Sequence, residues 1–199
     1  MWWRPFPSQR KLTTISALLM FICSSLLSPN ASALTATEVS FDQQVKQADL
    51  ILVGTVNQIS SFWGQGRGAG TIFSTIQLTS LEQIKGQHPD GDYSLRVTGG
   101  IIGDQAQIYP GLPQFIHGQR YLLFIKGNNS SMFPIIGVNQ GFYRVQWDAQ
   151  QQRQIVIPAA SSSSLSPTRQ KPSQAHQHSQ GLESLVNKIR STLDQGQSP

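Results

Sequence analysis

Apolar and polar positions change rhythm several times along this chain, and most of the rhythm is that of β-strands. Leu50 to Val56 is a nearly continuous apolar run with Val, Ile and Thr, which predicts a strand buried on both faces. From Thr71 to Leu81, Ile72, Ile76 and Leu78 share one parity while Thr75, Gln77 and Thr79 share the other, predicting a half-buried strand. Tyr93, Leu95 and Val97 alternate with Ser94, Arg96 and Thr98 in the same way. Tyr121 to Ile125 has the composition of a central strand. Pro134 to Val138 and Phe142 to Trp147 flank Asn139-Gln140-Gly141, which predicts a hairpin with Tyr143, Val145 and Trp147 facing inward, and Gln154 to Ile157 predicts a last short strand.

Turn chemistry separates these runs. Gly64 to Gly70 holds four glycines and predicts a mobile connection, while Lys85-Gly86 and Pro89-Asp90-Gly91 are turn residues. Helical spacing shows only at the ends. Val39, Phe41, Val45 and Ala48 predict a short helix within Leu34 to Ala48, with Thr35 or Thr37 as its cap. Leu182, Leu185, Val186, Ile189 and Leu193 form one stripe near the C-terminus. An isolated helix of that length is marginal in water, so docking on the sheet is favoured over a free helix awaiting a partner. Between them, Pro158 to Gln180 is rich in Ser, Gln, Pro and His, a composition that supports no packed core and predicts a disordered linker. The pattern predicts a mainly β chain: a small antiparallel OB-like barrel at 34–157, a linker at 158–180, and an amphipathic helix and tail at 181–199.

The first 33 residues are set apart as a signal peptide. Arg4, Arg10 and Lys11 precede the apolar stretch Leu12 to Leu27, and Ala31-Ser32-Ala33 offers the small residues of a cleavage site. An uncleaved anchor is the rival reading, but a spanning helix needs about 20 strongly apolar residues. Thr13, Thr14, Ser16, Ser24 and Ser25 interrupt this stretch. Cys23 follows Ile22, which is not the small residue that lipid attachment requires, so the leader takes the only cysteine with it. The expected address is the periplasm or the extracellular space.

That division changes the charge. The chain has fifteen Lys and Arg against ten Asp and Glu; three of the basic residues lie in the leader, leaving twelve against ten and a formal charge of +2. No basic run interleaved with aromatics remains, which argues against nucleic acid as a partner. A mature chain without thiols has no disulfide, so packing alone must stabilise it. No stable membrane insertion is expected once the leader is removed.

Several ordered positions carry a family likeness. They are Ala48 to Val56; Lys85-Gly86; Gly99-Gly100 with Gly103; Gly111-Leu112-Pro113-Gln114-Phe115 with Gly118; Tyr121 to Phe124; and Gly137 to Val145. Together they resemble a group of uncharacterised exported bacterial proteins that look like five-stranded OB-type barrels. In outline those are similar to the inhibitory domain of the tissue inhibitors of metalloproteinases. The resemblance implies a scaffold and no activity, because those inhibitors block a protease zinc with an N-terminal cysteine and this mature chain should begin at Leu34 with none.

Catalytic motifs are weak throughout. His176 and His178 form a His-x-His in the linker with no third ligand at a useful spacing, so no metal is expected. His117 and Asp104 could orient a nucleophile, yet the chain has no nucleophile elbow and no mature cysteine. Glu82, Asp90, Asp92 and Asp104 could pair for acid–base work, but their context is turn and solvated edge. Gly64 to Gly70 lacks the Gly-Lys-Ser/Thr ending of a phosphate cradle, and no cofactor is expected.

Gly99 to Phe115 is long for a β connection and rich in apolar residues, as loops with a task often are. It either caps the barrel or offers an apolar rim, with Trp63, Tyr109, Leu112 and Phe115 as candidate binding residues. The expected function is therefore a noncatalytic binding module contacting another exported protein through loops at one end of the barrel. The alternative is an unrecognised hydrolase or protease-associated factor centred on His117 and Asp104.

Overall fold

A computed structural model describes residues 39–88, 91–158 and 180–196. The leader at 1–33, Thr35 and Thr37, Asp90, residues 159–179 of the linker with His176 and His178, and the last three residues lie outside the described residues, whereas the linker's end residues Pro158 and Gln180 lie in strands. Within them the chain is mainly β: a seven-stranded antiparallel sheet, a two-stranded sheet and two helices.

Helix α1 spans Phe41–Gln47 and is capped by Ser40 in a reciprocal box: the Gln43 amide donates to Ser40 Oγ at 3.3 Å and the Ser40 amide to Gln43 Oε1 at 3.2 Å. The cap is thus Ser40, not Thr35 or Thr37. The pair three residues apart, followed by an apolar Val45, is the stronger start signal. At the other end Lys85 Nζ donates to the carbonyls of Val45, Lys46 and Ala48 at 2.7, 2.9 and 2.7 Å, satisfying groups the helix leaves open.

The strands are β1 (Leu50–Trp63), β2 (Ile72–Lys85), β3 (Tyr93–Thr98), β4 (Gly100–Ile102), β5 (Gln105–Gln107), β6 (Arg120–Ile125), β7 (Phe142–Asp148), β8 (Arg153–Pro158) and β9 (Gln180–Gly181). In the main sheet the order is β3-β2-β1-β6-β7-β8-β9, and β4 pairs with β5 separately. β1 and β2 are far longer than their apolar runs suggested; both reach 14 residues, because polar positions such as Asn57, Gln58 and Gln83 continue the hairpin.

Two apolar layers lie on opposite sides of the sheet. Ile51, Val53, Leu122, Phe124, Val145 and Val156 pack under Val45 and Ala48 and under helix α2 (Leu182–Gln195), whose Leu182, Leu185, Val186 and Ile189 are buried there. The C-terminal stripe therefore docks, as its spacing suggested. On the other side Leu52, Val56, Ile76, Leu78, Leu95, Val97, Tyr121, Leu123 and Phe142, contributed by five strands, share one interior. β1 and β6 sit between the layers, which is why their sequences read as continuously apolar.

The segment between β6 and β7 departs from the expected hairpin. Ile135 forms a single bridge to Ile125, the Lys126 amide donates to Pro134 O and the Ile136 amide to Phe124 O, so Pro134 to Val138 runs beside β6, not β7. Its other side covers the free edge of β3. Asn128 Oδ1 accepts from the Arg96 amide at 3.0 Å, Asn128 Nδ2 donates to Ser94 O at 2.8 Å, and the Thr98 amide donates to Met132 O at 3.0 Å. One side-chain amide thus stands in for a strand's peptide group. Trp147 is 65% exposed, contrary to expectation: of β7 and β8 only Val145 and Val156 are buried in the layer shared with the helices, with Tyr143 half-buried against it, and Trp147 is not part of it.

Candidate functional site

The region Gly99 to Phe115 is not one irregular loop. Its first half is the β4–β5 hairpin, with Gly103 in the left-handed region and Asp104 exposed at the tip. This hairpin lies over the far end of the β1–β2 pair. Ser61 and Ser74, partners across the register, bring their hydroxyls to 2.9 Å; Ser74 Oγ donates to Gly99 O at 2.7 Å, and the Ile101 amide donates to Ser61 Oγ at 3.3 Å. Only glycine fits above them, since a Cβ on Gly100 would lie 2.3 Å from Ser74 Oγ and 2.5 Å from Ser61 Oγ. Gln107 fixes the second strand by accepting from the Ile72 amide and donating to Gly70 O.

Hairpin, sheet and the following loop enclose a groove of about 360 Å³. Its floor is Ile76 and Val97 with the serine pair, and its rim is Ile59, Ile101, Ile108 and Tyr109. Ile101 and Ile108 are 63% and 61% exposed, a large apolar display for so small a region. No charged side chain lines the groove. The serine hydroxyls are already bonded within the protein, so the surface on offer is mainly apolar.

The four expected binding residues divide. Tyr109 and Leu112 line the groove, Tyr109 on the rim. Phe115 lines it too, but as a plug: its ring lies 5.4 Å from that of Tyr121 and 5.0 Å from that of Phe142, edge-on to both. The Ile116 amide donates to Tyr121 Oη beside it, and burial pushes the Tyr121 phenol up from its ordinary pKa. Trp63 stays outside the groove. It shares the face of Ile59 and Ser61 at the end of β1, opposite Ile72. Ile59, Ile101 and Ile108 were missed because nothing local distinguishes a rim isoleucine from a core one.

His117 and Asp104 are both exposed, neither lines the groove, and among the described residues no hydrogen bond or ion pair joins them. Glu82 lies 3.8 Å from Arg120 at the surface, and His88 packs edge-on against Tyr93. Among the described residues no three His, Cys, Asp or Glu side chains gather as a metal site would require, and no helix is long and apolar enough to cross a membrane. The chain matches no protein-family model, no curated protein and no solved structure.

Proposed function

We propose that this chain is a noncatalytic binding module of the periplasm or extracellular space that holds an apolar element of another exported protein in the groove beneath the β4–β5 hairpin. The observation that carries this reading is the chemistry of the groove: an exposed isoleucine and tyrosine rim, no charged lining, and serines already engaged. No carboxylate, imidazole, amine or thiol lines the groove to activate a nucleophile or move a proton there. Export rests on the leader's charge, apolar stretch and Ala-Ser-Ala site.

The scaffold in this reading is an OB-type barrel related in outline to the inhibitory domain of the metalloproteinase inhibitors. Its support is the single interior shared by residues of β1, β2, β3, β6 and β7, with Asn128 and Met132 linking β3 to the segment beside β6. The groove is then the barrel's open mouth.

The test is capture of proteins from native envelope or secretome extract by the tagged chain, compared with Ile108→Ser and Tyr109→Ala. Both positions are rim residues, whereas Phe115→Ala would disturb the interior. Retention of a defined protein that both variants release is expected. Identical retention by all three chains would overturn the assignment.

A further inference from the structure

β1 is paired on both sides for only half its length. It pairs with β2 from Ile51 to Trp63, but with β6 only from Leu50 to Thr55, and Val56 ends that side by bonding to Gly118 and Gln119. Among the described residues no backbone group bonds to β1 on that side beyond Val56. The N–H and C=O groups of alternate residues between Gln58 and Trp63 therefore face outward unpaired.

Open edges of this kind are normally guarded by lysine, proline, bulges or a covering loop. β3 is guarded, by Asn128 and Met132. Among the described residues the stretch of β1 beyond Gln58 has no such guard: β1 contains no charged residue and no proline, and Arg67 is the one charge between Asp49 and Glu82. The register with β2 shifts at Val56/Gln58 and then runs unbroken to Trp63, so the free stretch is regular. Ile59, Phe62 and Trp63 on it are 39%, 40% and 41% exposed.

An unpaired strand edge is complementary to an extended backbone, and the groove lies beside this one on the Ile59 face. Resting on the groove's assignment as a partner site, we propose that the partner enters as an added β-strand along Gln58 to Trp63. Its backbone completes the edge while every second side chain, apolar and uncharged, drops into the groove between Ile59, Ile108, Tyr109 and Leu112. Backbone pairing supplies affinity and the groove selects the alternate side chains.

The probe is a panel of capped peptides alternating Val, Leu or Phe with Thr and flanked by Glu for solubility, titrated into the isotopically labelled full chain. Binding should slow amide exchange within Gln58 to Trp63. N-methylation at alternate peptide positions should weaken it about tenfold, the loss of roughly one hydrogen bond, while methylation at the intervening positions leaves it unchanged. Ile59→Lys should abolish it with the chain's own unfolding midpoint preserved. Binding that is lost in Tyr109→Ala but indifferent to N-methylation, with 58–63 exchange unaltered, would overturn strand addition and leave the groove reading standing. Failure of every peptide would also overturn it, the capture experiment deciding the groove separately. Concentration-dependent dimerisation removed by Ile59→Lys would overturn it in favour of a second copy at this edge.

Discussion

Replacing Gly100 by alanine tests how the groove is built. The added Cβ would sit 2.3 Å from Ser74 Oγ and 2.5 Å from Ser61 Oγ, where real Cβ atoms essentially never come within 3.0 Å. Either β4 lifts by at least about 0.7 Å or the hydroxyls rotate, and rotation breaks the bonds from Ser74 to Gly99 O and from the Ile101 amide to Ser61. Overpacking of this kind costs about 1–3 kcal/mol. Gly100 also has φ +149°, a conformation L-residues rarely adopt, which adds about 1–3 kcal/mol. Together these give about 2–6 kcal/mol, centred near 4, a large part of the roughly 5–15 kcal/mol that stabilises a domain. Urea unfolding gives the difference, and amide exchange at Ile101 and Ile72 should accelerate as the hairpin loosens. In a Ser61→Ala/Ser74→Ala background the two nearest atoms are gone and the next, Ser61 Cβ, lies at 3.1 Å, so Gly100→Ala should cost at least about 1 kcal/mol less. Equal costs in both backgrounds, or a loss below about 1 kcal/mol in the first, would refute the close packing of β4 on the serine pair.

Asn128→Ala removes the acceptor of the Arg96 amide and the donor to Ser94 O, and should destabilise by about 2 kcal/mol while exposing the Arg96 amide to exchange; an unchanged exchange rate there counts against edge covering. Lys85→Met leaves three carbonyls at the end of α1 without their donor and should lower the urea midpoint by the equivalent of about 1–2 kcal/mol, most of it regained in Lys85→Arg if charge and reach suffice. Ile189→Ala, at a fully buried site of α2, should cost about 2–5 kcal/mol, and a loss under about 1 would mean the helix contributes little to the fold. Burial pushes the phenols of Tyr93, Tyr121 and Tyr143 above their unfolded pKa of about 10, so the folded state holds protons that the unfolded state releases. Their contribution is complete below about pH 10 and is lost as pH rises through the folded values. Lys85, lowered by burial against the pull of Asp49, acts with the opposite sign just below its unfolded value. Three groups against one predict stability that falls as pH rises above about 10, with the slope reduced in Tyr143→Phe; a flat profile there would contradict the burial of these rings.

Strand identity was legible wherever one residue's environment is set by its immediate neighbours. The continuous run at Leu50 and the alternation at Tyr93 gave β1 and β3, and the stripe from Leu182 to Leu193 gave a docked α2. What escaped was decided across the chain. Asn128 reads locally as a turn residue, yet its partners lie 32 to 35 positions away in Arg96, Ser94 and Tyr93. Ser61 and Ser74 read as polar interruptions, and become a paired platform only once β1 folds onto β2. Phe115 and Tyr109 look alike in sequence; Tyr121 and Phe142 draw one inward and leave the other at the rim.

The groove and the open edge have one origin, a mismatch of strand lengths. β1 and β2 run for 14 residues, whereas β6 on the other side of β1 has six. Past Val56 the long hairpin extends beyond the strand that would cover its second edge, and the interior face it carries outward is closed only in part by β4–β5 and Phe115. Shortening the hairpin to match β6 would remove edge and groove together, while lengthening β6 would occupy the edge and leave the groove. Phe62 stacks on Phe73, but Ile59 and Trp63 on the opposite face stay about two-fifths exposed beside an open edge, and that is the physical reason for proposing a partner at this end of the molecule.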